Sequence, residues 1–385
     1  MVNKIENSLN APLAPKVSRF TESCRLFKNN RLSILGLITF IIFFFIAVTG
    51  LFLTSGNDPV FDPARIRLHE KLRPPMSRPN PGTLKTSEIP PFGIYFMGTD
   101  ELGRDLFARM LQGAWVSLTV GFVAVGISVI VGIFMGGIAG YFGQKHIRFD
   151  QIIITCILFS GGALFFMGAR HSGVKLLIIG HACLFFFIIF EVVWRKKAIP
   201  GWIRILRKNA ISIDTLIMRI VDIMLCFPGF FLILTVIALL PASIYNIMIV
   251  IGLTSWMGTT RFVRADFLSL REQDFVTAAR ALGVSNFRII FRHMMPNAIT
   301  PVLISATIGV ATAILTEAGL SFLGFGVPPP HATWGNILSN GKNYIFDAPW
   351  LTFIPGTAIL TVVLSFNLFG EGLREILNPK LRDRY

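Results

Sequence analysis

Residues 32–53 read LSILGLITFIIFFFIAVTGLFL, an uncharged apolar run long enough to cross a bilayer as an α-helix. A long polar segment precedes the run, which is too long for the hydrophobic part of a secretion signal, so we expect a permanent span. The chain of 385 residues is 53% hydrophobic and only 15% charged, a balance unlike that of soluble proteins. The sequence therefore predicts an all-α polytopic membrane protein.

Seven further apolar segments follow the first. They run over 115–139, 152–169, 174–194, 216–240, 244–263, 298–322 and 350–370. Lys and Arg collect in the segments that alternate spans place on one side, and the positive-inside rule assigns that side to the cytoplasm. Both ends of the chain are therefore predicted to be cytoplasmic. Residues 1–31 and 373–385 form the two tails, and 115–372 the main transmembrane domain.

The segment 54–114 is predicted to lie outside the cell membrane, on the face opposite the tails. Its stretch KLRPPMSRPNPG (71–82) is too rich in proline for a helix or a central strand. The segment ends in MGTDELGRDLFARML (97–111), where Thr99 or Asp100 can cap a helix that begins at Glu101. The spacing predicts an amphipathic helix along the membrane surface, or an ordinary loop helix.

Two sets of residues in the spans suggest helix contacts. Gly132, Gly136 and Gly140 recur every four residues, which lets a neighbouring helix approach closely, although glycine is also simply frequent in membrane helices. Arg219 and Asp222 are three residues apart and can pair on one helix face. An ionisable residue in a span can instead mark a transport pathway, so both interpretations of this pair stay open.

Two further features predict interruptions of the spans. Pro228 and Gly229 invite a kink in the segment 216–240. Glu317 is expected to make a structural hydrogen bond close to a break before Gly324 and Gly326. No row of acidic residues follows one set of helices, which argues against a carrier that is driven by ions.

The sequence lacks the usual signatures of enzymes and of metal or nucleic-acid sites. It contains no GxxxxGK[ST] loop for nucleotide phosphates and no G-x-S-x-G or H-E-x-x-H motif. The four cysteines and six histidines are scattered without metal-ligand spacing. The excess of 36 Lys+Arg over 21 Asp+Glu fits cytoplasmic loops better than a nucleic-acid groove. We therefore expect no catalytic residue and no metal site.

The segment 264–297 is too long and too regular for a simple connection between spans. Within it, FVTAARALGVSNFRIIFRHMMPN (275–297) predicts a helix, a bend at a left-handed Gly283, and a second helix capped by Ser285. Pro296 is expected to end the second helix. The apolar residues recur at i, i+3, i+4 and i+7: Phe275, Ala278, Ala279 and Leu282, then Phe287, Ile290, Phe291 and Met294. Such a loop can dock on a partner, or rest on the inner leaflet with Arg288 and Arg292 toward lipid phosphates.

This loop resembles the EAA loop of ABC importer permeases. Ala278, Ala279, Gly283 and Pro296 match that pattern, whereas Thr277 stands where the family has Glu. Other stretches resemble the C-type permease of dipeptide, oligopeptide and nickel importers: MGTDELGRDLFARMLQGAWVSLTVG (97–121), IMRIVDIMLCFPG (217–229), LTEAGLSFLGFGVPPPHATWGNIL (315–338) and FNLFGEGLREILNPKLR (366–382). The resemblance implies a type I ABC importer fold with six family spans.

The resemblance also implies partners and a location. These would be a second permease subunit, two ABC ATPases and an extracytoplasmic binding protein, in the lipid bilayer of a bacterial inner membrane. ATP and Mg²⁺ would bind to the ATPases, so this chain would hold no cofactor. The implied ATPase-coupling residues are Phe275, Ala278, Ala279, Arg280, Leu282, Gly283, Phe287, Arg288, Phe291 and Pro296.

One block departs from the family pattern. Residues 144–212 insert two apolar segments and a basic return, which predicts an additional two-span hairpin that leaves the downstream topology unchanged. The hairpin could dock a lipid or partner, or could be a neutral addition. The substrate is expected to be a peptide, and the alternatives are nickel or another small solute. From a different class, an ion-coupled secondary carrier is the alternative, although no inverted repeat is visible.

Overall fold

The structure is a computed structural model that describes residues 30–56, 58–80, 82, 84, 89–143, 146–148 and 209–377. The apolar segments 152–169 and 174–194 of the predicted hairpin lie outside the described residues, as do residues 1–29 and 378–385 of the two tails. The chain forms two compact units. The core unit comprises Met1–Ile133, Phe227–Phe262 and Pro296–Tyr385, and the loop unit comprises Phe134–Cys226 and Val263–Met295.

The described part of the chain is almost entirely helical. Its helices are α1 (Arg31–Thr54), α2 (Leu106–Phe142), α3 (Ile213–Cys226), α4 (Gly229–Leu239), α5 (Ile244–Leu253), α6 (Met257–Leu270), α7 (Asp274–Ala281), α8 (Asn286–Arg288), α9 (Met295–Phe322), α10 (Trp334–Gly341) and α11 (Trp350–Leu377). A π-helical stretch, Ile289–Met294, joins α8 to α9. Single 3₁₀ turns lie at Leu68–Glu70 and Lys342–Tyr344. The short strands β1 (His146–Arg148) and β2 (Asn209–Ser212) pair antiparallel.

Four of the described helices are long and apolar enough to cross a membrane: Arg31–Thr54, Leu106–Phe142, Asn286–Phe322 and Trp350–Ile376. A fifth span is possible if α3 and α4 count as one segment that bends by 85°. The bend lies at Phe227 and Pro228, as predicted, because proline lacks a backbone donor and disfavours helical backbone in the residue before it. The structure therefore confirms a polytopic all-α membrane protein.

The first and last described helices pack against each other in the core unit. Asn30 caps α1 by accepting a hydrogen bond from the backbone N–H of Ser33 at 3.1 Å. Further along, Ser365 on α11 donates its hydroxyl proton to the carbonyl of Gly36 at 2.7 Å. A Cβ at Gly36 would lie 2.8 Å from Leu368 Cβ and 2.9 Å from the backbone of Phe369. The contact thus depends on the missing side chain at Gly36.

The prediction of an amphipathic surface helix that begins at Glu101 is wrong. Helix α2 begins only at Leu106 and continues into the second predicted span. Asp105 takes the capping role by accepting from the backbone N–H of Phe107 at 2.9 Å. Asp100 instead closes a turn by accepting from the N–H groups of Leu102 and Arg104, both at 2.9 Å. Two aspartates with the same local chemistry therefore have different roles.

A buried polar network links α2 to α10 in the core unit. The Asp100 carboxylate binds Arg104 at 2.7 Å and the buried Arg109 at 2.5 Å. Arg109 also reaches the side-chain oxygen of Asn336, at 3.5 Å. Asn336 and Thr333 form a reciprocal capping box at the start of α10. These bonds fix the segment directly before α2 to two helices.

Glu317 continues this network at the end of α9. Its carboxylate accepts hydrogen bonds from Ser321 at 2.7 Å and from Thr333 at 2.9 Å, and the side chain is buried. The helix ends at Phe322, and Gly324 follows in the left-handed region with φ of +87°. The structural hydrogen bond predicted for Glu317 near a helix break is therefore confirmed.

The apolar segment 244–263, predicted as one span, is interrupted. Helix α5 ends at Leu253 and α6 begins at Met257. The backbone N–H of Ser255 turns to the carbonyl of Gly252, and its hydroxyl donates instead to the carbonyl of Ile251 at 2.7 Å, which the broken helix leaves without its usual partner. The hydroxyl of Thr254 adds a second bond to the carbonyl of Val250 at 2.7 Å. Uniform apolar composition conceals such a break.

The packing at Gly36 generates a prediction about stability. Gly36→Ala should lower the free energy of unfolding by about 1–3 kcal/mol, because the new methyl group overpacks the contact with α11. Gly126→Ala is the matched control, since a Cβ there would meet no described atom within 4 Å. Unfolding of both variants in detergent micelles measures the difference. Equal stability of the two variants would contradict the packing argument.

Asp105 generates a prediction about pH. Burial raises the pKa of this carboxyl from 3.8 to about 6, against the opposing effects of the backbone N–H groups of Phe107 and Ala108 and of the Arg67 cation; the Asp100 carboxylate also raises it. Because the folded pKa exceeds the ordinary value, the folded state binds more protons between these two values. Stability should therefore fall as pH rises from about 4 to about 6, on the order of 3 kcal/mol at about 1.4 kcal/mol per pKa unit.

Asp105→Asn keeps a capping oxygen and removes the titration. Unfolding of parent and variant in detergent at several pH values between 4 and 7 gives the test. The difference between the two proteins should grow in favour of the variant as the pH increases. A difference that stays constant across this range would show that burial does not perturb Asp105.

Candidate functional site

The candidate site is the helical loop 264–297, and its first half ends in a well-formed bend. Helix α7 ends at Ala281, and Gly283 adopts φ of +74°. The backbone N–H of Val284 donates to the carbonyl of Ala279 at 3.1 Å, and that of Gly283 donates to Arg280 at 3.0 Å. These two bonds form a Schellman motif, which needs a left-handed residue where Gly283 stands. The predicted bend at Gly283 is therefore confirmed.

The second half of the loop leads into a span without interruption. Helix α8 starts after Ser285, and the helical path continues through Ile289–Met294 to Phe322. The expectation that Pro296 ends this helix is wrong. The backbone N–H of Met295 bonds to the carbonyl of Ile290, five residues earlier, so the turn before Pro296 is wide. A π-helical turn of this kind accommodates the missing donor of proline inside a helix.

The predicted apolar stripes face different environments. Val276 and Ala279 form the buried side of α7, and Ile289, Ile290 and Met294 are buried in the second half. The remaining apolar members are exposed or partly exposed: Phe275, Ala278, Leu282, Phe287 and Phe291. Leu282 is 84% exposed and Phe287 is 71% exposed. We call Phe275, Ala278, Leu282 and Phe287 the exposed apolar face of the loop.

Aromatic contacts anchor one edge of this face. The ring centre of Phe287 lies 4.5 Å from that of Phe291, which in turn lies 5.8 Å from the ring centre of Phe134 on α2. The guanidinium groups of Arg288 and Arg292 belong to exposed residues next to this cluster. The loop therefore presents apolar side chains with basic side chains beside them.

Tyr141, near the end of α2, contacts both helices of the bend. Its hydroxyl donates to the side-chain oxygen of Asn286 in α8 at 2.7 Å. The guanidinium of Arg280 in α7 lies over its ring, 4.9 Å from the ring centre. Sequence reasoning missed this residue, although the stretch GYFG (140–143) contains it, because a contact over 145 positions leaves no local pattern.

A two-pronged ion pair joins α3 to α6 in the same unit. Arg264 donates through Nε and Nη2 to the two carboxylate oxygens of Asp214, with the second bond at 2.6 Å. Both side chains are partly exposed, so solvent weakens the attraction. At the end of α6, Arg271 also donates to the carbonyl of Gly140 at 3.4 Å. These bonds fix the helix that leads into the loop.

The glycine stripe of α2 lies against α6 at two points. In the core unit, a Cβ at Gly132 would lie 2.6 Å from Thr259 Cβ. In the loop unit, a Cβ at Gly140 would collide with Phe267, and Gly136 is buried. Arg219 and Asp222 are both exposed on α3, and their pairing stays a prediction.

Comparison with known proteins adds independent information about this chain. Residues 198–383 match a family described as binding-protein-dependent transport system inner membrane component. The dipeptide transport system permease protein DppC of Alkalihalophilus pseudofirmus is 33% identical over 366 residues, covering 95% of this chain and 91% of the relative. The oligopeptide permease OppC of Bacillus subtilis is 28% identical, covering 97% and 95%.

A third relative is a putative peptide transport permease of Brucella suis, 33% identical over 79% of this chain and 80% of its own length. The solved MetNI methionine ABC transporter is similar over 70% of this chain and 96% of its own, at 14% identity and a TM-score of 0.41, too weak a likeness to place residues. The sequence relatives agree with the apolar helices and with the resemblance of the loop. The chain therefore belongs to the family of binding-protein-dependent transport inner membrane components, and it is a permease subunit of an ABC importer.

Proposed function

We propose that this permease carries di- or oligopeptides and that its loop 264–297 docks on an ATPase subunit of the importer. The relatives at 28–33% identity are named for dipeptide, oligopeptide or peptide transport, which supports the substrate class. The exposed apolar face of the loop carries the docking proposal. Leu282 and Phe287 stand on either side of the left-handed Gly283, and the described parts of the chain leave both uncovered.

The side chains of this face are better suited to contact with a protein partner than to exposure to water. Exposed large apolar side chains that are grouped on a rigid element mark interaction surfaces. Ala278 and Gly283 add little bulk to this surface, so the larger side chains of Leu282 and Phe287 can enter a groove on the partner. Thr277, which replaces the usual Glu, donates its hydroxyl proton to the carbonyl of Asp274 at 2.9 Å and brings no charge to the face. Docking here would therefore rest on apolar contact and on the surrounding arginines.

Binding at the loop can move the spans because the helical path is continuous. Asn286–Phe322 runs from the loop through a membrane-spanning helix without a break. A displacement of the docked loop would thus move α9 directly. Closure of an ATPase pair around ATP would then favour one orientation of the permease, and the loaded binding protein the other.

The other subunits of the importer would be separate chains. We propose a second permease subunit, two ATPases that bind ATP and Mg²⁺, and an extracytoplasmic binding protein. The positive-inside rule places both tails and the loop in the cytoplasm, and the segment 54–114 on the opposite face of a bacterial inner membrane. Nickel or another small solute is the second candidate substrate.

An ion-coupled carrier has less support. Glu317 is a buried acidic residue of a membrane-spanning helix, but Ser321 and Thr333 both donate hydrogen bonds to its carboxylate. Those bonds tie it to the start of α10, which is a structural role. Uptake by the purified chain without any ATPase would overturn the ABC proposal in favour of a carrier.

The docking proposal predicts the effect of an acidic substitution. Leu282→Asp should weaken binding of the ATPase at least about 30-fold, because losing an interface hot spot costs about 2 kcal/mol. Phe346→Asp is the matched control: Phe346 is 96% exposed between α10 and α11, in a segment that the positive-inside rule predicts on the opposite side of the membrane from the loop. Co-purification of the ATPase with each variant, together with peptide uptake in cells, gives the measurement. Loss of the ATPase from the control, or its retention by Leu282→Asp, would count against this docking surface.

The bend at Gly283 predicts a second, conformational effect. Gly283→Val should weaken ATPase binding about tenfold or more, because a left-handed backbone costs about 1–2 kcal/mol for an ordinary residue and more for a β-branched one. Gly283→Asn is the matched variant, since asparagine tolerates this region and a Cβ would meet no described atom within 4 Å. We expect ATPase binding and uptake to survive in Gly283→Asn. Equal loss in both variants would mean that the surface of Gly283, and not its backbone, matters.

A further inference from the structure

The loop has a second physical connection to the spans besides its direct continuation into α9. The continuation passes through the π-helical stretch Ile289–Met294, whose backbone bonds reach five residues back. Such turns are wider than those of an α-helix and are frequent at functional sites. The other connection is Tyr141 at the end of α2, a regular helix that extends from Leu106 to Phe142.

Tyr141 makes the two contacts that a rigid connection requires. Its hydroxyl holds Asn286, in the helix after the bend, and its ring supports Arg280, in the helix before the bend. Tyr141 is buried, with 8% of its surface exposed, so water competes little with either contact. Because Tyr141 touches both sides of Gly283, the bend cannot shift without pushing or pulling the end of α2.

Neighbouring contacts strengthen the same connection. Arg271, where the loop begins, donates to the carbonyl of Gly140, directly before Tyr141. Gly140 itself allows Phe267 to lie against the α2 backbone. The end of α2 is therefore held by residues from before, within and after α7.

We propose that Tyr141 is a positioning residue that transmits the displacement of loop 264–297 to α2. The proposal rests on the docking function of the loop and adds a route by which docking moves a second membrane-spanning helix. Tyr141 is buried and is not a member of the exposed apolar face, so it is not part of the docking surface. Its loss should therefore uncouple ATP hydrolysis from transport while the ATPase stays bound.

The experiment uses the assembled importer in proteoliposomes, with its partner permease, ATPases and binding protein, and casein-hydrolysate peptides as the probe. Tyr141→Leu should reduce peptide uptake per ATP hydrolysed about fivefold or more, the lower end of usual coupling between sites. Hydrolysis should no longer respond to the peptide-loaded binding protein. Tyr245→Leu is the matched control, since Tyr245 is 71% exposed near the start of α5, outside the sequence of the loop 264–297.

A gentler pair of variants tests the connection if the leucine disturbs folding. Tyr141→Phe and Asn286→Ala each remove the same hydrogen bond, so each should lower peptide uptake per ATP hydrolysed about twofold. The double variant should show no larger loss than either single variant. Additive effects would show that the two residues act separately and would overturn the proposal.

The outcomes separate this proposal from the docking function. Parent-level coupling in Tyr141→Leu, with the ATPase bound, would overturn the role of Tyr141 alone. Loss of the ATPase from Tyr141→Leu or Tyr141→Phe would also overturn it, because the residue would then shape the docking surface. Retention of the ATPase by Leu282→Asp would instead overturn the docking function on which the proposal rests.

Discussion

Hydrocarbon offers no hydrogen-bond partners, so each peptide group within the spans must be satisfied inside the protein. This constraint explains where the helices can stop. The α5–α6 break is tolerated because Thr254 and Ser255 return their hydroxyls to the preceding carbonyls. The end of α9 is tolerated because the N–H groups of Gly324 and Phe325 return to the carbonyls of Ser321 and Leu320, while Ser339 and Lys342 donate to the carbonyl of Phe322. These two interruptions therefore occur where side chains or returning N–H groups cover the open carbonyls.

The apolar pattern was enough to predict the all-α membrane fold, because runs of bilayer length are dictated by the solvent. It was also enough for Gly283, since a Schellman bend has a local requirement that glycine meets. The start of α2 could not be read in the same way. Asp100 and Asp105 are both suitable caps, and the choice depends on Arg109, which pairs with Asp100 across a turn.

The candidate site shows the same division between local and distant causes. Spacing correctly marked a helix, a bend and a helix, but it assigned Phe275 and Ala279 to one face. In the structure, Val276 and Ala279 are buried while Phe275 is exposed, because the buried face of α7 depends on which other residues pack against it. Tyr141 and the Asp214–Arg264 pair join residues far apart in the sequence. Only the folded chain brings such partners together.

The antiparallel pairing of β1 with β2 bears on the departure from the family at 144–212. Arg148 pairs with Asn209, and His146 pairs with Ser212, so the chain leaves and re-enters the fold at adjacent backbone positions. Paired residues in an antiparallel ladder lie about 5 Å apart at their Cα atoms. The residues between them can therefore be inserted without displacing α3, whose Asp214 still reaches Arg264.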